Sequence, residues 1–310
     1  MYFISIWSLS NHFQRKVLPS IKFNKKIKIV SILTNKDKKD LKFKHINLYN
    51  DKKKNFLNEN FNYVYISSIN SEHYENCKYA LENKKNVICE KPICLKKNQL
   101  NNLKKIADKN KKKFQEVIQY THHPLFIKLK KIINDKIIGN IIHVDSSFKV
   151  PIDDKKNFRF EKKLGGGALN DVGFYPISIM FTLFDSKKIK ILNSNIIKQN
   201  NLDIAGNIKT QNEKKIIFNL SWSFKSSYKN NIKIYGKNGF IDVDFIFSKK
   251  IFQKGEINIF KNLKKTIKVK ESNQINLAFQ SMLSSNKKKF NKNFETSMKI
   301  LKVIENLKKK

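Results

Sequence analysis

The sequence predicts two α/β modules in series. Residues 1–121 read as a doubly wound parallel sheet, and residues 122–310 as a domain with a mostly antiparallel sheet. Three observations predict this. Short apolar runs alternate with helical segments up to about residue 121. Period-two alternation dominates from about residue 189 to 270. The chain has 310 residues, 40% of them hydrophobic, enough to fill two cores.

In the first module, "YFISIW" is an apolar strand. "NHFQRKVLPSIKF" sets Phe13, Val17, Leu18 and Ile21 on one helical face. "IKIVSIL" is a second buried strand, and "LKFKHINLYND" with "KKNFLNEN" supplies a short strand and a helical turn. "YVYISS" is the next strand. "SEHYENCKYALENKKN" is a helix with Ser71 as N-cap, Glu72 in its positive first turn, and Asn83 or Asn86 for a left-handed C-cap. "NVICEKP" is a strand stopped by a proline, "NQLNNLKKIADKNKK" a helix and "FQEVIQY" a strand.

In the second module, the helix "PLFIKLKKIINDK" leads to Gly139 and the long strand "NIIHVDSSFKV". "LGGGALNDVGFYPISIMFTLF" is a glycine-rich turn entering a helix. Alternating strands follow, and an amphipathic helix pair closes the chain.

Composition narrows the function. The net charge of +39 invites a nucleic-acid or anionic-membrane partner. Yet Arg15 and Arg159 are the only arginines, and the lysines are scattered rather than gathered in an arm. Phosphate and base readers favour arginine, whose planar fork pairs bidentately. The charge therefore reads as compositional, beside an excess of lysine, asparagine and isoleucine, and it would help attract acidic small molecules. No apolar run is long enough to span a bilayer, and "MYFISIWSL" reads as a strand rather than a signal peptide. Cys77, Cys89 and Cys94 fit no zinc spacing, so reduced thiols in a cytoplasm are expected, with no metal.

Three blocks carry a resemblance: "YVYISSINSEHYENCKYALENKKNVICEKP", "QYTHHPLFIKLKKIINDKIIGNIIHVDSSF" and "NFRFEKKLGGGALNDVGFYPI". Together they resemble the glucose–fructose oxidoreductase / inositol dehydrogenase (Gfo/Idh/MocA) family. "RFEKKLGGGALNDVGFYPI" is most similar to its NDP-sugar 3-ketoreductase and aldose or dihydrodiol dehydrogenase branch. The resemblance implies a Rossmann domain, a second domain with an open sheet, and a homodimer or homotetramer. It also implies NAD(P)-dependent hydride transfer to or from a sugar or nucleotide-sugar carbon.

Such transfer needs a carbon held over the nicotinamide and a proton moved to or from oxygen. Lys91 follows a parallel strand at its carboxyl end, where open α/β sheets bind ligands, and Pro92 fixes the backbone after it. The resemblance makes Lys91 the catalytic lysine; the alternative is an ordinary exposed lysine. Asp171 and Tyr175, four residues apart, fall on one helix face. Their matches in the family are Asp and then His or Tyr, which makes Tyr175 the proton donor or acceptor, with Lys91 beside it, and Asp171 the orienting group. A helix cap and a core tyrosine are the structural alternatives. Gly165 to Gly167 would let backbone approach a ligand closely. His123, in a "THHP" similar to the family's "RFHP", would line the substrate site or serve structurally. Arg159 would meet a phosphate or a local carboxylate.

The cofactor loop is unusual, because the first glycine of the chain is Gly139. Ser8 and Ser10 stand where the family has glycines, and Phe13 where it has a small residue, a substitution that counts against the loop unless the ring turns into the space between the domains. Asn11 and His12 add donors at the helix start. Ser68, Asn70 and His73 of "SSINSEH", with Glu90, match the nicotinamide side. Thr34, Asn35 and Lys36 present no acid to a ribose hydroxyl, which favours NADP(H) while leaving NAD(H) open. A non-catalytic relative with weakened cofactor binding is the competing reading.

Overall fold

A computed structural model describes residues 1–22, 24–35, 46–50, 52–152 and 157–309. The chain divides into two compact units, Met1–Val117 with Ala278–Met298, and Ile118–Leu277 with Lys299–Lys310.

Among the described residues unit one holds six strands: β1 (Tyr2–Trp7), β2 (Ile27–Leu33), β3 (Asn47–Tyr49), β4 (Tyr63–Ile66), β5 (Asn86–Cys89) and β6 (Phe114–Glu116). They are all parallel, in the order β3-β2-β1-β4-β5-β6. The order reverses between β1 and β4, so a crevice opens beyond their carboxyl ends. Helices α1 (Leu18–Ile21), α2 (Lys53–Asn58), α3 (His73–Glu82) and α4 (Lys97–Lys109) make the crossovers. Ile4, Ile6, Val64, Ile66, Val87 and Ile88 are sealed in the core, as strands covered on both faces require.

Unit two builds an eight-stranded sheet from β7 (Ile141–Lys149), β8 (Ile189–Gln199), β9 (Leu202–Asn212), β10 (Ile217–Ser223), β11 (Lys229–Gly236), β12 (Gly239–Asp244), β13 (Gly255–Phe260) and β14 (Lys264–Val269). Its order is β14-β13-β12-β11-β7-β10-β9-β8, and only the β7–β10 pairing is parallel. One face is packed by α5 (Pro124–Asn134), α6 (Ala168–Asp171) and α7 (Phe174–Thr182) around Phe174, Met180, Phe218 and Trp222. The closing helices α8 (Gln274–Leu283) and α9 (Lys287–Lys308) divide between the units: Phe279 and Phe290 are buried in unit one, Ile300 and Ile304 in unit two.

Several local expectations change. Ser71 falls inside a 3₁₀ turn (Asn70–Glu72), so it does not cap α3. The left-handed residue after α3 is Lys84 (φ 58°), not Asn83 or Asn86. The same device ends α4 at Lys111 (φ 53°) and α5 at Lys136 (φ 52°). At each, the positive-φ residue and its successor donate back into the last turn: Lys84 to Leu81 and Lys85 to Ala80, Lys111 to Asp108 and Lys112 to Ala107, Lys136 to Ile133 and Ile137 to Ile132. With nine glycines in the whole chain, lysine occupies positions that glycine tolerates better. Lys84→Gly, Lys111→Gly and Lys136→Gly are each expected to raise stability by about 0.5–1 kcal/mol, read by urea unfolding.

Candidate functional site

In unit one the glycine-less turn keeps the backbone path of a glycine. Ser8 has φ 80°; its amide donates to Leu33 O (2.8 Å) and its carbonyl accepts from Ser67 Oγ (2.9 Å). It thus sits between the ends of β2 and β4. Ser10 Oγ accepts from the Phe13 amide (3.1 Å), which leaves its O–H to donate to a ligand. Asn11 is exposed and His12 half-exposed at the start of a helical run from 11 to 21.

Phe13 is fully buried, with its ring 5.8 Å from Tyr65, and Tyr65 in turn 5.2 Å from Phe279. The ring lies in the unit-one core, so Phe13 is accommodated by burial within its own unit. The helix widens into a π-turn over Phe13–Val17, where a large side chain replaces the small one that close helix–strand packing calls for. Phe13 is therefore withdrawn from the place a diphosphate would take.

Beyond β5, Glu90 gathers the site's charge. Its carboxylate accepts from the Tyr65 hydroxyl (2.7 Å) and lies 3.4 Å from His12 Nε2. Burial alone would push its pKa up; His12, the Tyr65 hydroxyl and the Lys91 charge outweigh it and hold it at about 2. Lys91 follows, half-buried, at the carboxyl edge of the sheet, joined to Pro92 by a cis peptide bond. His73 is buried, its ring nitrogens 2.8 Å from Pro92 O and 2.9 Å from Ser68 O. Burial lowers its pKa, while the two carbonyls favour the charged ring. His73 thus straps the loop after β4 to the Lys91 turn. Ser68 Oγ also accepts from Asn76 Nδ2 (3.0 Å), and Asn70 is buried in the same loop. At the end of β2, the Thr34 amide donates to Tyr49 O (2.9 Å) and Asn35 is exposed; Lys36 lies outside the described residues.

These features fit a dinucleotide. Ser8, Ser10, Asn11 and His12 could hold its diphosphate, Thr34 and Asn35 its adenosine ribose, and the loop from Ser68 to His73 its nicotinamide side.

In unit two, the close approach allowed by the glycines is taken up by the chain itself. Gly165 and Gly167 have φ 76° and 104°, and the Gly167 amide donates to Arg159 O (2.9 Å). A Cβ on Gly166 would stand 2.5 Å from Arg159 O. The turn over Phe158–Phe160 is thereby seated on the start of α6, and Arg159 Nε donates to Asp171 Oδ2 at 2.5 Å. Arg159 is engaged with a local carboxylate, and Asp171 is oriented by it.

Asp171 ends α6 and Tyr175 lies in α7, so the single helix expected there is two. The break is at Val172–Gly173, where Gly173 packs against Leu169 and Trp222. Both residues keep right-handed helical dihedrals, so the ladder slips without turning the chain. The Tyr175 ring is fixed by Phe148 (4.8 Å), Phe247 (5.6 Å) and Tyr120 (6.1 Å), and the Tyr120 hydroxyl is bonded to Ser178 and Thr182.

His123 is buried and caps α5, its Nδ1 accepting from the Leu125 amide (3.0 Å). Nε2 must then carry the proton, and among the described residues it has no hydrogen-bond partner. Burial, with the Lys249 charge behind it, lowers its pKa to about 4. The role visible here is the structural one.

The Rossmann-type NAD-binding model of the oxidoreductase family matches residues 9–118, and the GFO/IDH/MocA C-terminal domain model matches residues 126–242. The chain belongs to the Gfo/Idh/MocA oxidoreductase family. It is 25% identical over 187 residues to dTDP-3,4-didehydro-2,6-dideoxy-α-D-glucose 3-reductase of Actinomadura kijaniata (60% of this chain, 56% of that protein). To the trans-1,2-dihydrobenzene-1,2-diol dehydrogenase of Xenopus laevis it is 26% identical over 181 residues (58% and 54%). The matched stretch spans about half the length of these relatives. Among solved structures, the fold superimposes on KijD10, a 3-ketoreductase from Actinomadura kijaniata in complex with NADP and TDP-benzene, with a TM-score of 0.92 at 17% identity, covering 99% of this chain and 97% of that one. An aldose-aldose oxidoreductase from Caulobacter crescentus gives a TM-score of 0.87 at 17% identity, covering 99% and 96%.

As a Gfo/Idh/MocA protein the chain also holds residues that the sequence did not single out. Tyr65 looked like one more apolar strand position, yet its hydroxyl anchors Glu90. Glu116 ends β6 fully buried, its carboxylate accepting from the Ile93 amide and the Ser297 hydroxyl. An acid beside the apolar Phe114, Val117 and Ile118 of "FQEVIQY" is the signal the sequence offers for it. Among the described residues no cluster of His, Cys, Asp and Glu could hold a metal ion, and no helix is long and apolar enough to cross a membrane.

Proposed function

We propose that this chain is an NADP(H)-dependent oxidoreductase acting on a carbonyl or hydroxyl carbon of a sugar or nucleotide sugar. The observation that carries the reading is the Glu90–Lys91–Pro92 turn at the carboxyl end of β5 in an NAD-binding domain, fixed by His73, Tyr65 and His12. Bound nicotinamide supplies or accepts the hydride. Lys91 holds the reacting oxygen by a charged hydrogen bond, and Tyr175 gives or takes its proton. A phenol that works with an ammonium in this way has its phenolate favoured and its proton affinity brought towards neutrality. Asp171, oriented by Arg159, positions this machinery. His12 and the serines of the first turn meet the diphosphate. NADP(H) is preferred because neither Thr34 nor Asn35 puts an acid against a ribose 2′-phosphate. The 3-reductase and 3-ketoreductase relatives support a nucleotide-sugar substrate, and the latter was crystallised with NADP.

The test is NADPH binding by fluorescence, followed by turnover of a panel of free aldoses and dTDP-sugars with NADP⁺ and NAD⁺. Micromolar NADPH affinity with turnover on the panel is expected. A chain that fails to bind NADPH is the non-catalytic relative.

A further inference from the structure

Every polar atom of Glu116 is used. Its amide donates to Asn293 Oδ1 (3.1 Å) and its carbonyl accepts from Asn293 Nδ2 (3.3 Å). One carboxylate oxygen accepts from the Ile93 amide (2.8 Å), the other from Ser297 Oγ (2.5 Å). Asn293 and Ser297 stand one turn apart on α9, within the part of that helix that belongs to unit one. A buried carboxylate is a costly group to keep, and it persists where its bonds do something an apolar side chain cannot. Here the bond reaches the turn that carries Lys91. Pro92 has no N–H to anchor that turn. The next amide, Ile93, is held by Glu116, while the Pro92 carbonyl is held by His73 from the other side.

We infer that Glu116 is a positioning residue for Lys91: its carboxylate, braced by Asn293 and Ser297 of α9, clamps the Ile93 amide and so fixes where the Lys91 ammonium stands. The inference rests on the reading of Lys91 given above. It makes the C-terminal helix part of the active-site support, although α9 supplies no group to the reaction. The clamp sets placement and leaves cofactor binding alone.

The experiment compares Glu116→Ala, Glu116→Gln, Ser297→Ala and Lys91→Met in the 310-residue chain. Turnover is measured with NADP⁺ and the aldose or dTDP-sugar of highest rate in the panel, NADPH affinity by fluorescence, and exchange of the Ile93 amide by hydrogen–deuterium exchange. Glu116→Ala should lower kcat by about 100-fold, the size of loss that a misplacement of about 1 Å produces, with NADPH affinity within about 3-fold of the parent. Its Ile93 amide should exchange at least about 10-fold faster. Glu116→Gln keeps an acceptor for Ile93 and should recover kcat to within about 3-fold. If Glu116→Ala does not fold, Ser297→Ala decides: kcat down by about 3–10-fold and faster Ile93 exchange. Unchanged kcat and exchange in these variants overturn the clamp, as does a Glu116→Gln enzyme as poor as Glu116→Ala. Lys91→Met with full kcat would instead overturn the reading of Lys91, and the Ile93 exchange would still decide the clamp.

Discussion

Lys91→Met is expected to lower kcat by about 10²–10⁴-fold, the range that general acid–base groups contribute, while the enzyme still binds NADPH. The side chain stays unbranched, one atom shorter, and loses its charge, so the strand end and the turn bonds of Pro92 and Ile93 survive. Tyr175→Phe keeps the aromatic contacts with Phe148 and Phe247 and removes the hydroxyl, so a fall in kcat of about 10²-fold is expected. Single-turnover oxidation of NADPH separates these losses from slow product release. If both residues form one proton-transfer unit, the double variant is no worse than Lys91→Met alone.

The second large effect concerns stability against pH. His123 has a folded-state pKa of about 4, below its unfolded value of about 6.5. Between these values the unfolded chain binds the extra proton, so stability rises with pH across that window. The contribution is complete above about pH 6.5 and is lost as pH falls towards 4. His123→Asn keeps an acceptor for the Leu125 amide, since asparagine is a good N-cap, and carries no titrating ring. Relative to the parent it should gain about 2 kcal/mol between pH 7.5 and 4.5, read from urea unfolding at the two pH values. A parallel pH dependence in both proteins would remove His123 as the source. Glu90 runs in the acid direction too: its stabilising charge is present above its unfolded pKa and is lost only as pH falls towards 2.

These effects differ in how visible they were beforehand. Lys91 and Tyr175 could be named because "CEKP" and "NDVGFYP" are contiguous motifs. His123 could be named but not assigned, because the same residue type serves a substrate or a helix cap, and only the 3.0 Å contact with Leu125 N shows the cap. Arg159 was open in the same way until its bond to Asp171 appeared. Glu116 and Tyr65 carry no local signal of their roles, because their partners, Ile93 with Ser297 and Glu90, are distant in sequence.

The sequence by itself determined the order of parallel and antiparallel modules, the turn that bears Lys91, and the absence of glycine before residue 139. These are local facts, set by hydrophobic period and by residue type. Tertiary structure alone decided where Phe13 goes, that lysines end three helices in the left-handed conformation, and that Glu116 and His73 brace the turn from either side. The physical reason is that packing and buried hydrogen bonds join residues far apart in the chain, and no periodicity records which distant partner a buried polar group will find.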